Sequence, residues 1–113
     1  MKIINSAKNT LLADNIVIAK TPAKRMVGLL SRREFKPGEA MVITSCNAVQ
    51  TFFMRFTIDV LFMDKHNKVI KAIPHLRPYR ITGIYFNACT AIELPAGTID
   101  ASFTREGDTL LLK

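Results

Sequence analysis

A mainly β fold is what this 113-residue chain predicts: a small antiparallel β-barrel or β-sandwich of about seven to eight short strands with one short helix, over a single domain, residues 1–113. Three observations lead there. Apolar and polar residues alternate with a period of two through the densest apolar stretch, Thr51 to Asp64. Short runs rich in Val, Ile and Phe recur between turn-forming clusters such as Pro37-Gly38, Asp64 to Lys68 and Gly107-Asp108. Only one segment carries a helical period.

Taken in order, Lys2 to Asn5 reads as an opening strand and Asn15 to Ala19 as its antiparallel partner, with Asp14-Asn15 as the turn before it. Thr21-Pro22 then starts a helix over about residues 22–32, with Thr as cap and Pro at the first helical position. Ala23, Met26, Val27 and Leu30 form its apolar face, and Arg32 and Arg33 favour the C-terminal end of its dipole. Phe35 to Glu39 is a loop in which Pro37-Gly38 suits a type II turn. Ala40 to Thr44 is a strand, and Ser45 to Gln50 a crossing loop. In the central stretch Met54, Phe56, Ile58, Val60 and Phe62 occupy one face, and Arg55, Thr57 and Asp59 form a polar strip on the other. The whole of Thr51 to Asp64 is therefore expected as strand. Asp64 to Lys68 closes a hairpin to Val69–Ile73. Residues 74–87, broken by two prolines and a glycine, form a loop excursion with at most short strands near Tyr79 to Thr82. Cys89 to Leu94 is a strand that Pro95-Ala96-Gly97 ends; the turn Arg105 to Asp108 precedes a closing strand, Thr109 to Leu112.

Composition narrows the function classes. An apolar fraction of 49% with 22% charged residues belongs to an ordinary globular chain. The formal charge of +7 draws the protein towards anions. Its basic residues cluster at Lys20 to Lys36 and Lys65 to Arg80, and only Tyr79 offers a stacking surface among them, which argues against single-stranded nucleic acid as the partner. The N-terminus turns polar too soon for a secretion signal and no apolar run is long enough to span a bilayer. A cytoplasmic location with no membrane partner is the expectation. Cys46 and Cys89 make no metal-binding spacing; in a reducing compartment they are expected as two buried thiols, bridged only if their strands are neighbours. No cofactor signature is present, no metal is expected, and oligomeric state is not readable from the chain.

The order Met26 to Arg32, then Thr-Phe-Phe-Met-Arg-Phe-Thr-Ile-Asp-Val-Leu-Phe-Met-Asp at 51–64, Val69 to Ile73, Ile-Glu-Leu-Pro-Ala-Gly at 92–97 and Gly107-Asp108 resembles the domain of unknown function 192 family. The resemblance covers roughly residues 11 to 112. It implies a compact mainly β fold in bacterial and archaeal proteins and no established activity. Two positions depart from the family pattern: Gln50 stands where a histidine is frequent, and Thr57 where a proline is.

Asp59 and Glu93 interrupt apolar runs, and a carboxylate in such a place must be paired, hydrogen-bonded or at the surface. Were their strands adjacent, the two acids could share a concave site with Arg55 and Gln50, flanked by Thr51 and Arg32. The structural alternative carries more weight: both acids satisfy backbone donors or pair with Arg32 and Arg55. His66 and His75 sit in polar, basic segments and are expected at the surface. Three functions follow in order. The first is a binding domain for a small anionic ligand or a protein segment, using Arg55 and the loop around Arg77 to Arg80. The second is a hydrolase or lyase with Asp59 and Glu93 as acid and base. The third is a charge-driven nucleic-acid binder.

Overall fold

A computed structural model describes residues 1–20 and 34–113. The helix expected over 22–32, and Arg32 with it, lie outside the described residues. Among the described residues seven strands form one curled sheet, a half-barrel: β1 (Ile3–Asn5), β2 (Thr10–Ala19), β3 (Gly38–Thr44), β4 (Ile58–Met63), β5 (Val69–Leu76), β6 (Thr90–Pro95) and β7 (Leu110–Leu112), with a four-residue helix α1 (Thr98–Ala101) between the last two. The strand order is β5-β4-β6-β3-β2-β1-β7. The two outer strands meet at one corner, where Val69 N–H donates to Asp108 C=O at 2.8 Å and Leu110 N–H to Asn67 C=O at 2.9 Å. That contact curls the sheet towards a barrel and shortens its open edges.

The pairs are antiparallel except for β2 and β3, which run parallel. The expected antiparallel pairing holds for every pair but this one, and the exception has a topological reason. A parallel pair needs a crossover of a dozen or more residues, and the chain between Ala19 and Gly38 has that length. The Asp14-Asn15 turn is also absent: β2 runs unbroken from Thr10, and the pair forms an irregularity in the β2–β3 register instead. The turn chemistry has become a bulge.

Other turns fall where composition places them. Glu39 N–H donates to Lys36 C=O around Pro37-Gly38, and Gly38 has φ +91°, the geometry that a type II turn requires of its third residue. Asp64 C=O accepts Asn67 N–H in the β4–β5 hairpin, with Asn67 at φ +61°.

Burial follows the period of two on both faces of the central strands. Leu61, Met63, Ile92, Leu94, Ala40 and Val42 join one cluster inside the curl with Ile3, Ile99 and Leu110. Met54, Ile58, Val60, Phe62, Met41, Ile43 and Ala91 join another on the opposite face, with Phe56 packed against it. All six residues of β4 are buried, so what looked like the polar side of the strand is core as well.

The strand also starts late. Residues 51–57 are turns and bends, with Phe53 at φ +65°, and β4 begins only at Ile58. An aromatic in the left-handed region cannot continue a strand. Conversely β5 runs through Pro74 to Leu76, further than expected, because β5 is an edge strand and the missing proline N–H costs it no ladder bond. His66 and His75 are both exposed. Cys46 is half-buried and Cys89 exposed, and they are not bridged, so neither is the buried thiol expected. No helix among the described residues is long and apolar enough to cross a membrane.

Candidate functional site

The register of β4 against β6 decides where the two central acids go. Asp59 lies opposite Leu94, and Glu93 opposite Val60. Cross-strand partners share a face, and successive residues alternate. Asp59 therefore points to the Leu94 side and Glu93 to the Val60 and Met41 side, so the sheet separates the two carboxylates. They do not line one cleft.

Asp59 is fully buried and accepts three backbone hydrogen bonds. Its Oδ1 takes His75 N–H at 2.9 Å; its Oδ2 takes Gly97 N–H at 3.1 Å and Ile99 N–H at 2.8 Å. The His75 donor is freed by an irregularity in the β4–β5 register opposite Asp59, where His75 adopts φ +54°. The other two lie at the start of α1, whose cap Gly97 has no side chain to offer. One carboxylate thus answers a bulge on one side and a helix start on the other. Glu93 is also fully buried.

Thr51 is buried and acts as a clamp between two loops. Its hydroxyl donates to Arg77 C=O at 2.6 Å and accepts Arg80 N–H at 2.9 Å. Its own N–H donates to Arg80 C=O, and its C=O accepts Tyr79 N–H, both at 2.9 Å. Further along, Thr82 N–H donates to Val49 C=O and Tyr85 N–H to Asn47 C=O. Segments 47–54 and 77–86 are consequently zipped into a ribbon above the sheet. Gln50 forms an isolated bridge with Ile81 in this ribbon, and its side chain accepts Phe52 N–H at 2.6 Å. Arg55 is exposed just beyond it.

The ribbon presents what the sequence reading passed over. Phe53 is 69% exposed, Ile81 70% and Phe86 85%, with Phe52, Tyr79 and Ile84 also exposed. Phe52 and Phe53 both set their rings edge-on to Tyr79, with centroids 6.2 and 5.7 Å apart. Ala48, Val49, Gln50, Ile81, Thr82 and Ile84 line a groove of about 350 Å³. Phe53 and Tyr79 hold positive φ values of +65° and +61°, a conformation that bulky residues rarely keep without surrounding constraint. The available signal is the set of large apolar residues Tyr79, Ile81, Ile84 and Phe86, in a segment whose prolines and glycine leave it no periodicity and no core face to explain them.

A second polar cluster sits at the far end of the sheet. Asn5 is fully buried; its Nδ2 donates to Asp108 Oδ2 at 2.9 Å and to Thr104 Oγ1 at 3.1 Å. Asp108 also receives Lys8 Nζ and Arg105 N–H, each at 2.9 Å. Burial pushes the Asp108 carboxyl up, but the bonds from Asn5, Lys8 and Arg105 together outweigh it and hold the group at about 2. This network ties β1 to the last turn. Among the described residues no group of three or more His, Cys, Asp or Glu side chains is placed to hold a metal ion.

Residues 3–112 match the profile of one family, DUF192, described as uncharacterized ACR, COG1430. The chain belongs to the DUF192 family. A relative, the UPF0127 protein PH1112 of Pyrococcus horikoshii, is 32% identical over 114 residues, covering 96% of each chain. Among solved structures, a protein of unknown function from Novosphingobium aromaticivorans superposes with a TM-score of 0.82 at 15% identity, covering 98% of this chain and 82% of that one. A Sinorhizobium meliloti protein described as a candidate transcription regulator gives 0.81 at 20%, covering 97% and 89%. At such identities the two structures speak for the fold alone.

Proposed function

We propose that this DUF192 domain is a binding module whose recognition face is the 47–54/77–86 ribbon, and that its partner is a protein segment carrying apolar side chains flanked by acidic ones. The observation that carries the reading is the aromatic patch. Phe52, Phe53, Tyr79, Ile81, Ile84 and Phe86 are held at the surface, two of them in strained backbone, by a clamp centred on a buried threonine. Rigid, exposed aromatics are the usual anchors of protein recognition, since they bring large contact area at low entropic cost. The apolar groove beside them suits aliphatic side chains, and the exposed Arg55, Arg77 and Arg80 supply the charge that acidic flanks would meet. A small anionic ligand fits less well, because the groove wall is formed mainly by alanine, valine and isoleucine side chains.

Asp59 and Glu93 do not enter this reading. An acid–base pair must reach one reacting group, and these two lie on opposite faces of the sheet.

Selection of binders from a random peptide library tests the proposal. Sequences enriched in Leu, Ile or aromatic residues next to Asp or Glu are expected. Their binding, read by fluorescence anisotropy, should fall at least tenfold in Phe53→Ser and Ile81→Ser and weaken with added salt. Peptides that bind both variants as well as the parent would overturn it.

A further inference from the structure

A different feature lies at the root of the ribbon. β3 and β6 pair as far as Thr44 and Thr90, and the next residue, Ser45, turns into the left-handed region at φ +53°. That turn brings Cys46 beside Cys89: Cys46 N–H donates to Cys89 C=O at 3.3 Å. Adding the covalent bonds on either side of that contact keeps the two Cα atoms within about 7 Å of each other. A disulfide needs roughly 4.4–6.8 Å. The reduced Cys46 thiol lies 3.1 Å from Ala48 C=O, a weak bond that a covalent one readily replaces. Cys89 is exposed and lines a cavity of about 380 Å³ with Asp64, Lys65, His66, Ile70 and Asn87, in which Lys65 and His66, set against the one acid, suit a negatively charged reagent.

We propose that Cys89 and Cys46 are a thiol–disulfide exchange site, in which exposed Cys89 reacts first with an anionic low-molecular-weight disulfide and Cys46 resolves the adduct. In the first step the Cys89 thiolate attacks one sulfur of glutathione disulfide; a protein–glutathione bond forms, the S–S bond of the reagent breaks, and one glutathione thiolate leaves. In the second, the Cys46 thiolate attacks the Cys89 sulfur and expels the other glutathione. The protein loses two electrons and the reagent gains them, while the two thiol protons pass to the leaving thiolates. The bridge would fasten the end of β3 to the start of β6 where segment 47–54 departs. The inference does not depend on what the ribbon binds.

The test is to treat the fully reduced protein with excess glutathione disulfide and read intact mass and disulfide-linked peptides. The parent is expected to lose the mass of two hydrogens and to yield a peptide joining Cys46 to Cys89, both reversed by dithiothreitol. Cys46→Ser should instead retain one glutathionyl group, on Cys89, and Cys89→Ser should react many times more slowly. A parent protein that stays reduced, or that accumulates glutathionyl adducts without the internal bridge, overturns the proposal, and that result does not depend on how either variant folds.

Discussion

Asp59 and Ile99, forty residues apart, are joined by a 2.8 Å hydrogen bond from the Ile99 N–H to a carboxylate with no exposed surface. The same side chain holds His75 and Gly97, so one buried charge fixes the end of β5, the turn after β6 and the first turn of α1. Charge-assisted bonds of this kind are stronger than neutral ones, and a buried donor left without its acceptor costs more than the bond contributed.

Asp59→Asn is expected to destabilise the protein by about 2–4 kcal/mol. The substitution keeps the shape but replaces one acceptor oxygen with an NH₂ group that faces backbone donors. Urea denaturation of both proteins measures it. A loss under about 0.5 kcal/mol would show that the three bonds are dispensable. Should any turnover be found, the stability loss must be separated from it before Asp59 is given a chemical role.

Asp108 sets a pH dependence. Its carboxyl is held at about 2 when folded against an ordinary 3.8, so the folded state binds the proton less readily than the unfolded chain does. The stabilisation it brings is whole above about pH 4 and drains away as pH falls through the window towards 2. Melting temperature followed between pH 5 and pH 2 should fall more steeply for the parent than for Asp108→Asn, whose curve starts lower and loses this contribution. Parallel curves would mean that the network with Asn5 and Lys8 does not favour the ionised form.

Thr51→Val removes a hydroxyl that donates to Arg77 and accepts from Arg80, leaving two partly buried backbone groups of the 77–80 loop without that partner. A cost of about 1–3 kcal/mol is expected, concentrated in the ribbon. Hydrogen exchange should show faster exchange at Tyr79 and Arg80, while amides of β4 and β6 keep their protection. Equal acceleration throughout would mean that the ribbon and the sheet open as one unit.

How far the chain could be read follows from where a local rule is left unopposed. β4 was legible because period-two alternation and burial agree at Ile58, Val60 and Phe62, and the Pro37-Gly38 and Asp64 to Lys68 turns because their conformations depend on their own residues. The start of β4 was misplaced because Met54 and Phe56 continue the alternation while the backbone has already turned at Phe53; both still pack on the same core from a bend. Whether Asp59 and Glu93 meet depends on a one-residue register difference against β6, which neither residue's neighbours encode. The parallel β2–β3 pair and the Asn5–Asp108 contact join distant segments and leave no periodic trace. The aromatic patch is hard to read for another reason: phenylalanine ordinarily fills a core, whereas Phe52, Phe53 and Phe86 are exposed.

Phe53 separates stability from recognition in a single position. At φ +65° a phenylalanine pays a steric cost that asparagine, which tolerates the left-handed region, largely avoids. The ring is 69% exposed, so its removal forfeits little burial beyond the contact with Tyr79. Phe53→Asn is therefore expected to leave the protein equally stable or up to about 1 kcal/mol more stable. On the proposed recognition face the same change removes an aromatic anchor, and binding to a selected apolar–acidic peptide should weaken at least tenfold. Thermal melting and fluorescence anisotropy on the one variant settle both halves. Unchanged affinity would take Phe53 out of the recognition face, and a marked fall in melting temperature would show that its ring holds the ribbon together rather than facing a partner.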